Sequence, residues 1–341
     1  MTGRVLVSGA AGFIGGYVVA ELLARGYQVV GVDNLSKYGV LRPAHADHPG
    51  YRFVRGDAAD PALLTELLGD CDHFIAGAAM VGGISYFHAY PYDLLAANER
   101  LTAAACDAAI AAHRSGRLRK VTYLSSSMVY ESADSWPSQE GQQLRMPPPA
   151  TAYGFSRLSV EYFARAAWEQ YRLPFTILRP FNCVGVGETR PERDGGIGTG
   201  ELGLVTGHVV PDLVCKVLKG GPLHILGTGA QLRHYTDGGD LARGIVIAME
   251  HPAAENEDFN LSADRGTTVL ELAAMIWRKI YGPDAPLLIV RDQPFPGDVQ
   301  CRVPDTGKAR RMLGFSADTP LEQTLDRVIA WVTDAIDAGL M

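Results

Sequence analysis

The stretch "RVLVSGAAGFIGGYVVAELLARGYQVVGVD", residues 4–33, decides the fold. Arg4–Ser8 is an apolar, β-branched run that reads as a strand. From Phe13 the apolar residues take helical spacing, and Gly26 suits the end of that helix. Tyr27–Asp33 is a second apolar run. Strand, helix and strand thus follow one another within a single βαβ length. Gly9, Gly12 and Gly15 occupy the turn between the first strand and the helix. A tight turn needs glycine, and a Cβ there would hold the backbone away from an anion. The helix start then offers free N–H groups and the positive end of its dipole, the chemistry that binds a pyrophosphate. Asp33 ends the second strand 18 residues after Gly15, where a carboxylate can accept both hydroxyls of an adenosine ribose. The same charge repels a 2′-phosphate, so NAD is expected rather than NADP. Asp57, in "RGDAAD" at the end of the third strand, can reach the adenine edge or simply cap a helix.

The alternation continues along the chain. "YRFVRGD" precedes a helix over about 61–68, and "HFIAGAA" precedes an alanine-rich helix over about 92–112. "KVTYLSSS" is followed by a helix over about 153–171 and then by "FTILRPFN". Strands this apolar, separated by helices, predict a parallel sheet covered on both faces. Residues 131–150 end in a proline triplet and read as an excursion over the sheet edge. Residues 185–207 are glycine-rich and read as a loop near a ligand. The pattern becomes mixed after about 205. "PLEQTLDRVIAWVTDAI" closes the chain as an amphipathic helix with Pro320 in its first turn.

The 341 residues are 47% apolar with a net charge of −7. No basic field exists for nucleic acid or an anionic membrane surface, so an anionic substrate must meet a few local cations. The five cysteines are scattered without CxxC spacing, which predicts neither a metal site nor a disulfide framework. No apolar run is long enough to span a membrane. A soluble protein of the reducing cytoplasm is expected.

"AYGFSR", residues 152–157, places Tyr153 and Arg157 on one helical face. A phenol, with an ordinary pKa near ~10, becomes a base near neutrality only if its anion is stabilised, and a cation one turn away does that. "LSSSMVY", residues 124–130, ends the strand before this helix in hydroxyls, where a doubly wound sheet places its ligands. Ser126 can there hydrogen-bond a substrate hydroxyl, or serve only as a turn or cap.

With these motifs the chain resembles the extended short-chain dehydrogenase/reductases, in the NAD-dependent epimerase/dehydratase group that acts on nucleotide sugars. The resemblance runs through "GAAGFIGG", "GVDNLS", "RGDAAD", "SSSMVY", "AYGFSRLSVE", "LRPFNCVG", "GTGAQLRHYTDGGDLA", "FNLS" and "PGDVQCRVPDTGKARRMLGF", in the family's order. It implies a Rossmann-type doubly wound α/β sheet with a smaller C-terminal substrate-binding domain. The NAD-binding domain would comprise 1–182 and about 236–260, and the nucleotide-sugar domain about 183–235 and 261–341. It makes Ser126, Tyr153 and Arg157 catalytic. It places NAD on Gly9, Gly12, Phe13, Ile14, Gly15, Asp33, Asn34, Asp57, Ala58, Ala76, Asn98, Tyr153, Arg157 and Pro180. Asn182 would meet the sugar diphosphate, and Arg233 and Arg302 would clamp its phosphates, a task suited to guanidinium forks. A homodimer formed through the 92–112 and 153–171 helices is implied as well. The family pattern is YxxxK, so Arg157 is a departure. Arginine keeps the charge and adds donors, but it is longer and planar.

The resemblance also bears on the reaction. Family dehydratases carry Asp-Glu just before the "VY", decarboxylases a glutamate in the second of those slots, and GDP-sugar 3,5-epimerases a cysteine there. Here the slots hold Ser127 and Met128. The remaining outcome is C4 inversion through a transient 4-keto sugar. "AAMVGGI", residues 78–84, looks more like the GDP-sugar branch, so a dehydratase or GDP-sugar-type epimerase stands as the alternative. His88, in "YFHAYPY", can supply a proton that those slots lack or be simply a loop histidine. A non-catalytic NAD-binding sensor or scaffold is the alternative from another class.

Overall fold

A computed structural model describes residues 3–37, 43–82, 89–188, 209–294 and 299–339. His88 and most of 185–207 lie outside the described residues. Strand β1 (Arg4–Ser8) leads into α1 (Phe13–Ala24), followed by β2 (Gln28–Asp33), β3 (Tyr51–Arg55), α2 (Pro61–Leu68) and β4 (His73–Ala76). Next come α3 (Pro91–Arg114), β5 (Lys120–Leu124), α4 (Ala152–Tyr171) and β6 (Phe175–Pro180). The remainder comprises β7 (Cys183–Val184), α5 (Val209–Leu218), β8 (Leu223–Leu226), β9 (Leu232–Arg233), β10 (Thr236–Asp237), α6 (Gly238–Glu250) and β11 (Glu257–Leu261). It ends with β12 (Thr267–Thr268), α7 (Val269–Tyr281), β13 (Ile289–Asp292), α8 (Gly307–Leu313) and α9 (Leu321–Asp337).

Seven strands form the central sheet in the order β11-β6-β5-β4-β1-β2-β3, and every pairing in it is parallel. This is the Rossmann-type α/β sheet expected. The chain order reverses between β1 and β4, which opens a crevice beyond their carboxyl ends. Helices α2, α3 and α4 bury one face, with Leu64, Ala108 and Ala164 against Phe74 and Val121. Helices α1, α6 and α8 bury the other, with Val18, Ile245 and Ala309 against Val5 and Phe259. A separate core joins α5, α7, α9 and β8 through Val214, Ile276, Val328 and Leu223. That core is the smaller C-terminal unit.

Local chemistry sets the element ends. Asp60 caps α2 by accepting from the Ala62 and Leu63 N–H groups, with Pro61 in the first turn. Thr268 and Glu271 form a reciprocal capping box on α7. Pro320 stands just outside α9, at the N-cap, rather than in its first turn, because its ψ of 139° is extended. The long helix runs one residue further at its start and two at its end than its apolar pattern suggests. Residues 131–150 do cross the sheet edge. The Glu140 carboxylate accepts the backbone N–H of Asn260 on the outer strand β11 at 2.8 Å, and the Ser138 carbonyl accepts from the Asn260 side chain at 3.0 Å.

Candidate active site

The glycine turn lies on the end of β2. Gly9 N–H donates to the Val32 carbonyl at 2.9 Å, and Gly9 itself has φ +75°, a conformation that disfavours side chains. A Cβ on Gly15 would collide with the Gly9 carbonyl oxygen, so the turn closes only with glycine there. Gly12 is the N-cap of α1 and has no side chain to cap it, so the N–H groups of Phe13, Ile14 and Gly15 open the helix unblocked. Asp33 sits beside this turn. One carboxylate oxygen accepts from Ala11 N–H at 3.1 Å and the other from Leu35 N–H at 2.8 Å. Asn34 makes a local turn with Ser36 N–H. This donor set fits a dinucleotide: helix N–H groups for a pyrophosphate and a carboxylate within reach for a ribose.

Asp57 is not the cap of α2, a task Asp60 performs. It stays exposed and only turns its own loop, accepting from Ala59 N–H. Asn98 is fully buried in α3 and holds the segment after β4, bonding the Met80 N–H and carbonyl at 2.8 and 3.0 Å. Its role is to support the crevice wall. Ser8, which the sequence reading passed over, does the same by accepting from Gly77 and Ala78 N–H. Ala58, Ala76, Ser8 and Arg157 line one cavity. Pro180 ends β6 on the same side of the sheet.

Ser126 follows β5 and caps a 3₁₀ turn, Ser127–Tyr130, accepting from Met128 N–H at 3.2 Å. The cap role is therefore real, and the half-exposed hydroxyl keeps its own hydrogen to donate. Ser127 and Met128 are buried. The start of α4 packs directly on this turn. Thr151 caps the helix, and its N–H and hydroxyl both donate to one oxygen of Glu131 at 3.0 and 2.7 Å. A Cβ on Gly154 would meet Pro149, Glu131 and the Met128 carbonyl, so glycine permits the contact. Tyr153 is thus held half-exposed beside the Ser126 turn.

The Arg157 guanidinium carbon lies 5.6 Å from the Tyr153 ring centroid, and the residue is only 4% exposed. Burial pushes its pKa down, while Tyr153 and the Glu99 carboxylate favour its charge. Tyr153, Arg157 and Glu161 share one face of α4, and Glu161 was missed by the sequence reading. It is fully buried and takes two hydrogen bonds from Arg179, at 2.7 Å each.

The residues expected to meet an anion, Asn182, Arg233 and Arg302, lie beyond the end of β6. Asn182 turns the chain from β6 into β7 with φ +32°, its carbonyl accepting from Thr236 N–H. Arg233 and Arg302 are brought together by the pairing of β9 with residues 300–302, where Leu232 N–H donates to Gln300 and Arg302 N–H to Leu232. Both guanidinium groups act on Tyr235, although burial dominates and pushes that phenol to about 12. Arg233 donates to the carbonyls of Leu232, Val299 and Gln300, and so braces the segment carrying Arg302. Among the described residues there is no cluster fit to hold a metal, and no helix is long and apolar enough to cross a membrane.

Known proteins resemble this chain in sequence and share its fold. A UDP-glucose 4-epimerase of Mycolicibacterium smegmatis is 29% identical over 96% of this chain and 97% of its own length. The chain spans about half (47%) of a trifunctional UDP-glucose 4,6-dehydratase, 3,5-epimerase and reductase from Arabidopsis thaliana, at 25% identity over 97% of this chain. The solved UDP-glucose 4-epimerase of Thermotoga maritima superposes with a TM-score of 0.81 at 26% identity, covering 98% of this chain and 99% of that one. A dTDP-glucose 4,6-dehydratase from Streptomyces venezuelae, solved with NAD bound, gives a TM-score of 0.83 at 26% identity over 98% of both chains. The model of the NAD dependent epimerase/dehydratase family matches residues 5–262, a span that includes the glycine turn, the Ser126 turn and the Tyr153 helix. This chain belongs to the NAD dependent epimerase/dehydratase family, with NAD as its cofactor.

Proposed function

We propose that the protein is a nucleotide-sugar 4-epimerase that inverts C4 through a transient 4-keto sugar. The observation that carries this reading is the pairing of the buried Arg157 guanidinium with the Tyr153 ring, beside the Ser126 hydroxyl. Bound NAD supplies a reversible hydride acceptor. Tyr153 Oη takes the proton from the sugar hydroxyl as the C4 hydrogen leaves, and later returns it. Ser126 donates a hydrogen bond to the same sugar oxygen. Arg157 stabilises the phenolate as it forms, in a pocket where little water screens the attraction.

Ser127 and Met128 favour inversion over loss of water, since neither side chain transfers protons well and both are buried. Asn182, Arg233 and Arg302 are assigned to the sugar diphosphate. The sheet and its flanking helices form the NAD domain, and the α5, α7, α9 core forms the sugar-nucleotide domain. Residues 309–315 pack with the sheet core and are assigned to it. Exposed Tyr92 on α3 and Phe155, Tyr162 and Phe163 on α4 mark the surface of a homodimer. Five free cysteines suit a reducing cytoplasm.

The test is incubation with NAD and a panel of UDP-, GDP-, dTDP- and CDP-sugars, followed by NMR. Inversion at C4 is expected. Loss of water would make the enzyme a dehydratase, and no turnover on any sugar would favour an NAD-binding sensor.

A further inference from the structure

Further along the face of α4 that carries Tyr153 lies a buried polar cluster that the proposed chemistry does not use. Its centre is Glu161, two turns after Tyr153 on α4 and fully buried. Each of its oxygens is committed twice. Oε1 accepts from the Ser125 hydroxyl at 2.8 Å and from Arg179 Nε at 2.7 Å. Oε2 accepts from Gln143 at 2.9 Å and from Arg179 Nη2 at 2.7 Å. Arg179, also fully buried on β6, donates further to Asp258 at 2.6 Å and to the Tyr130 hydroxyl at 3.1 Å. Tyr130 in turn donates to Asn260 at 2.9 Å.

The contacts converge on one short segment. Ser125 immediately precedes Ser126, and Tyr130 ends the 3₁₀ turn that Ser126 caps. Both ends of the Ser126 turn are therefore tied to the Glu161–Arg179 pair. A buried ion pair adds little net stability over apolar packing of similar volume, because desolvation opposes the Coulomb gain. A fixed bidentate geometry, however, sets the position of whatever it touches.

We propose that Glu161 is a positioning residue, which through the Ser125 hydroxyl fixes the turn bearing Ser126 relative to Tyr153 on the same helix. The inference rests on the assignment of Ser126 and Tyr153 as the reacting pair. Reaction between oriented groups falls steeply with displacements of about 1 Å, so a loosened turn costs rate rather than substrate affinity. Lys308, which reaches Asp258 at 2.9 Å from the far side, touches neither the turn nor α4, and has a structural part only.

The test compares Ser125→Ala, Glu161→Gln and Lys308→Ala in the full-length protein loaded with NAD. Ser125→Ala removes the tether to Glu161, with the longer contact of the same hydroxyl to the Arg157 carbonyl at 3.2 Å, and keeps the ion pair. It is expected to lower kcat about ten- to a hundredfold with KM within about twofold. It should also speed amide hydrogen exchange over 125–130 at least about tenfold while leaving β1 and β2 unchanged. Glu161→Gln should do both and lower the melting temperature, whereas Lys308→Ala should lower only the melting temperature. If Ser125→Ala leaves exchange at 125–130 unchanged, the positioning role is overturned, whatever the activity. If exchange rises but kcat stays at the wild-type value, it is overturned as well. If the wild-type protein turns over no nucleotide sugar, the epimerase reading fails, and the exchange measurement alone decides whether Glu161 holds the turn.

Discussion

Arg157 places its guanidinium carbon 5.6 Å from the ring centroid of Tyr153, one helical turn away. Small neighbours, including Ser8, Ala58 and Ala76, line the cavity it faces. Lysine at this position would keep the charge but lose the planar fork of donors and the reach of the guanidinium. Arg157→Lys is therefore expected to retain NAD and lose about tenfold in kcat. Arg157→Met, with no charge, should lose about 10²–10³, the scale for removing one preorganised donor from an active site. Steady-state kinetics on the sugar identified by the NMR panel checks both, and a wild-type rate for Arg157→Met would remove the guanidinium from the mechanism.

Gly15→Ala introduces a Cβ onto the Gly9 carbonyl oxygen, and Gly9 cannot be exchanged to make room, because a Cβ on it would come within 3.0 Å of the Ala78 backbone. Overpacking of this kind costs about 1–3 kcal/mol. The helix start must also shift away from the anion it serves. We expect a lower urea midpoint and at least about tenfold weaker NAD binding by calorimetry. Unchanged affinity would place the cofactor elsewhere.

His73 opens β4 directly opposite Lys120 in the sheet register. Burial first, then the Lys120 and Arg119 charges, lower its pKa to about 4. In the unfolded chain it takes a proton near ~6.5. Between those values the unfolded state binds more protons, so stability falls as pH drops from ~6.5 toward 4. At lower pH Asp258 extends the loss. Burial opposes its charge, but Arg179 and Lys308 outweigh that and hold the carboxyl well below its usual range. Urea midpoints at several pH values should show the slope, and His73→Gln should flatten it above pH 4. An equal slope in the variant would show that His73 is solvated.

Tyr162 is 58% exposed on α4 and lies close in sequence to exposed Phe155 and Phe163. A glutamate there would be buried without a partner if a second copy covers this surface. Tyr162→Glu is expected to sediment as a monomer and the wild-type protein as a dimer. A monomeric wild type would end the assignment of this face.

The βαβ reading from residues 4–33 held because its signals are local. The glycines, the strand runs and the carboxylate at 33 each act within a few residues of one another, and periodicity reports them directly. Tyr153 and Arg157 were legible for the same reason, since they share a face one turn apart. Glu161 extends that face, yet its partners Ser125, Gln143 and Arg179 come from three other segments. No spacing rule brings those together; only the packing of β5, β6, α4 and the 131–150 excursion does. The role of Gly154 was hidden in the same way, because the atoms that require it belong to Met128, Glu131 and Pro149. Asp57 misled as a possible cap because Asp60, three residues on, competes for the same helix start and wins by its position before Pro61.

The excursion over 131–150 gives the two borders of the central sheet unequal fates. On the β11 side, the Glu140 carboxylate occupies the Asn260 backbone N–H, and the Ser138 carbonyl holds the excursion there through the Asn260 side chain, so this margin is partly covered. β3 borders the opposite side, with Arg52, Phe53 and Arg55 exposed along it. Its two positive charges make stacking of like chains repulsive. Of the two margins, β3 is therefore the more open to self-association of this sheet into fibres, and replacing Arg52 and Arg55 with neutral β-formers would favour it.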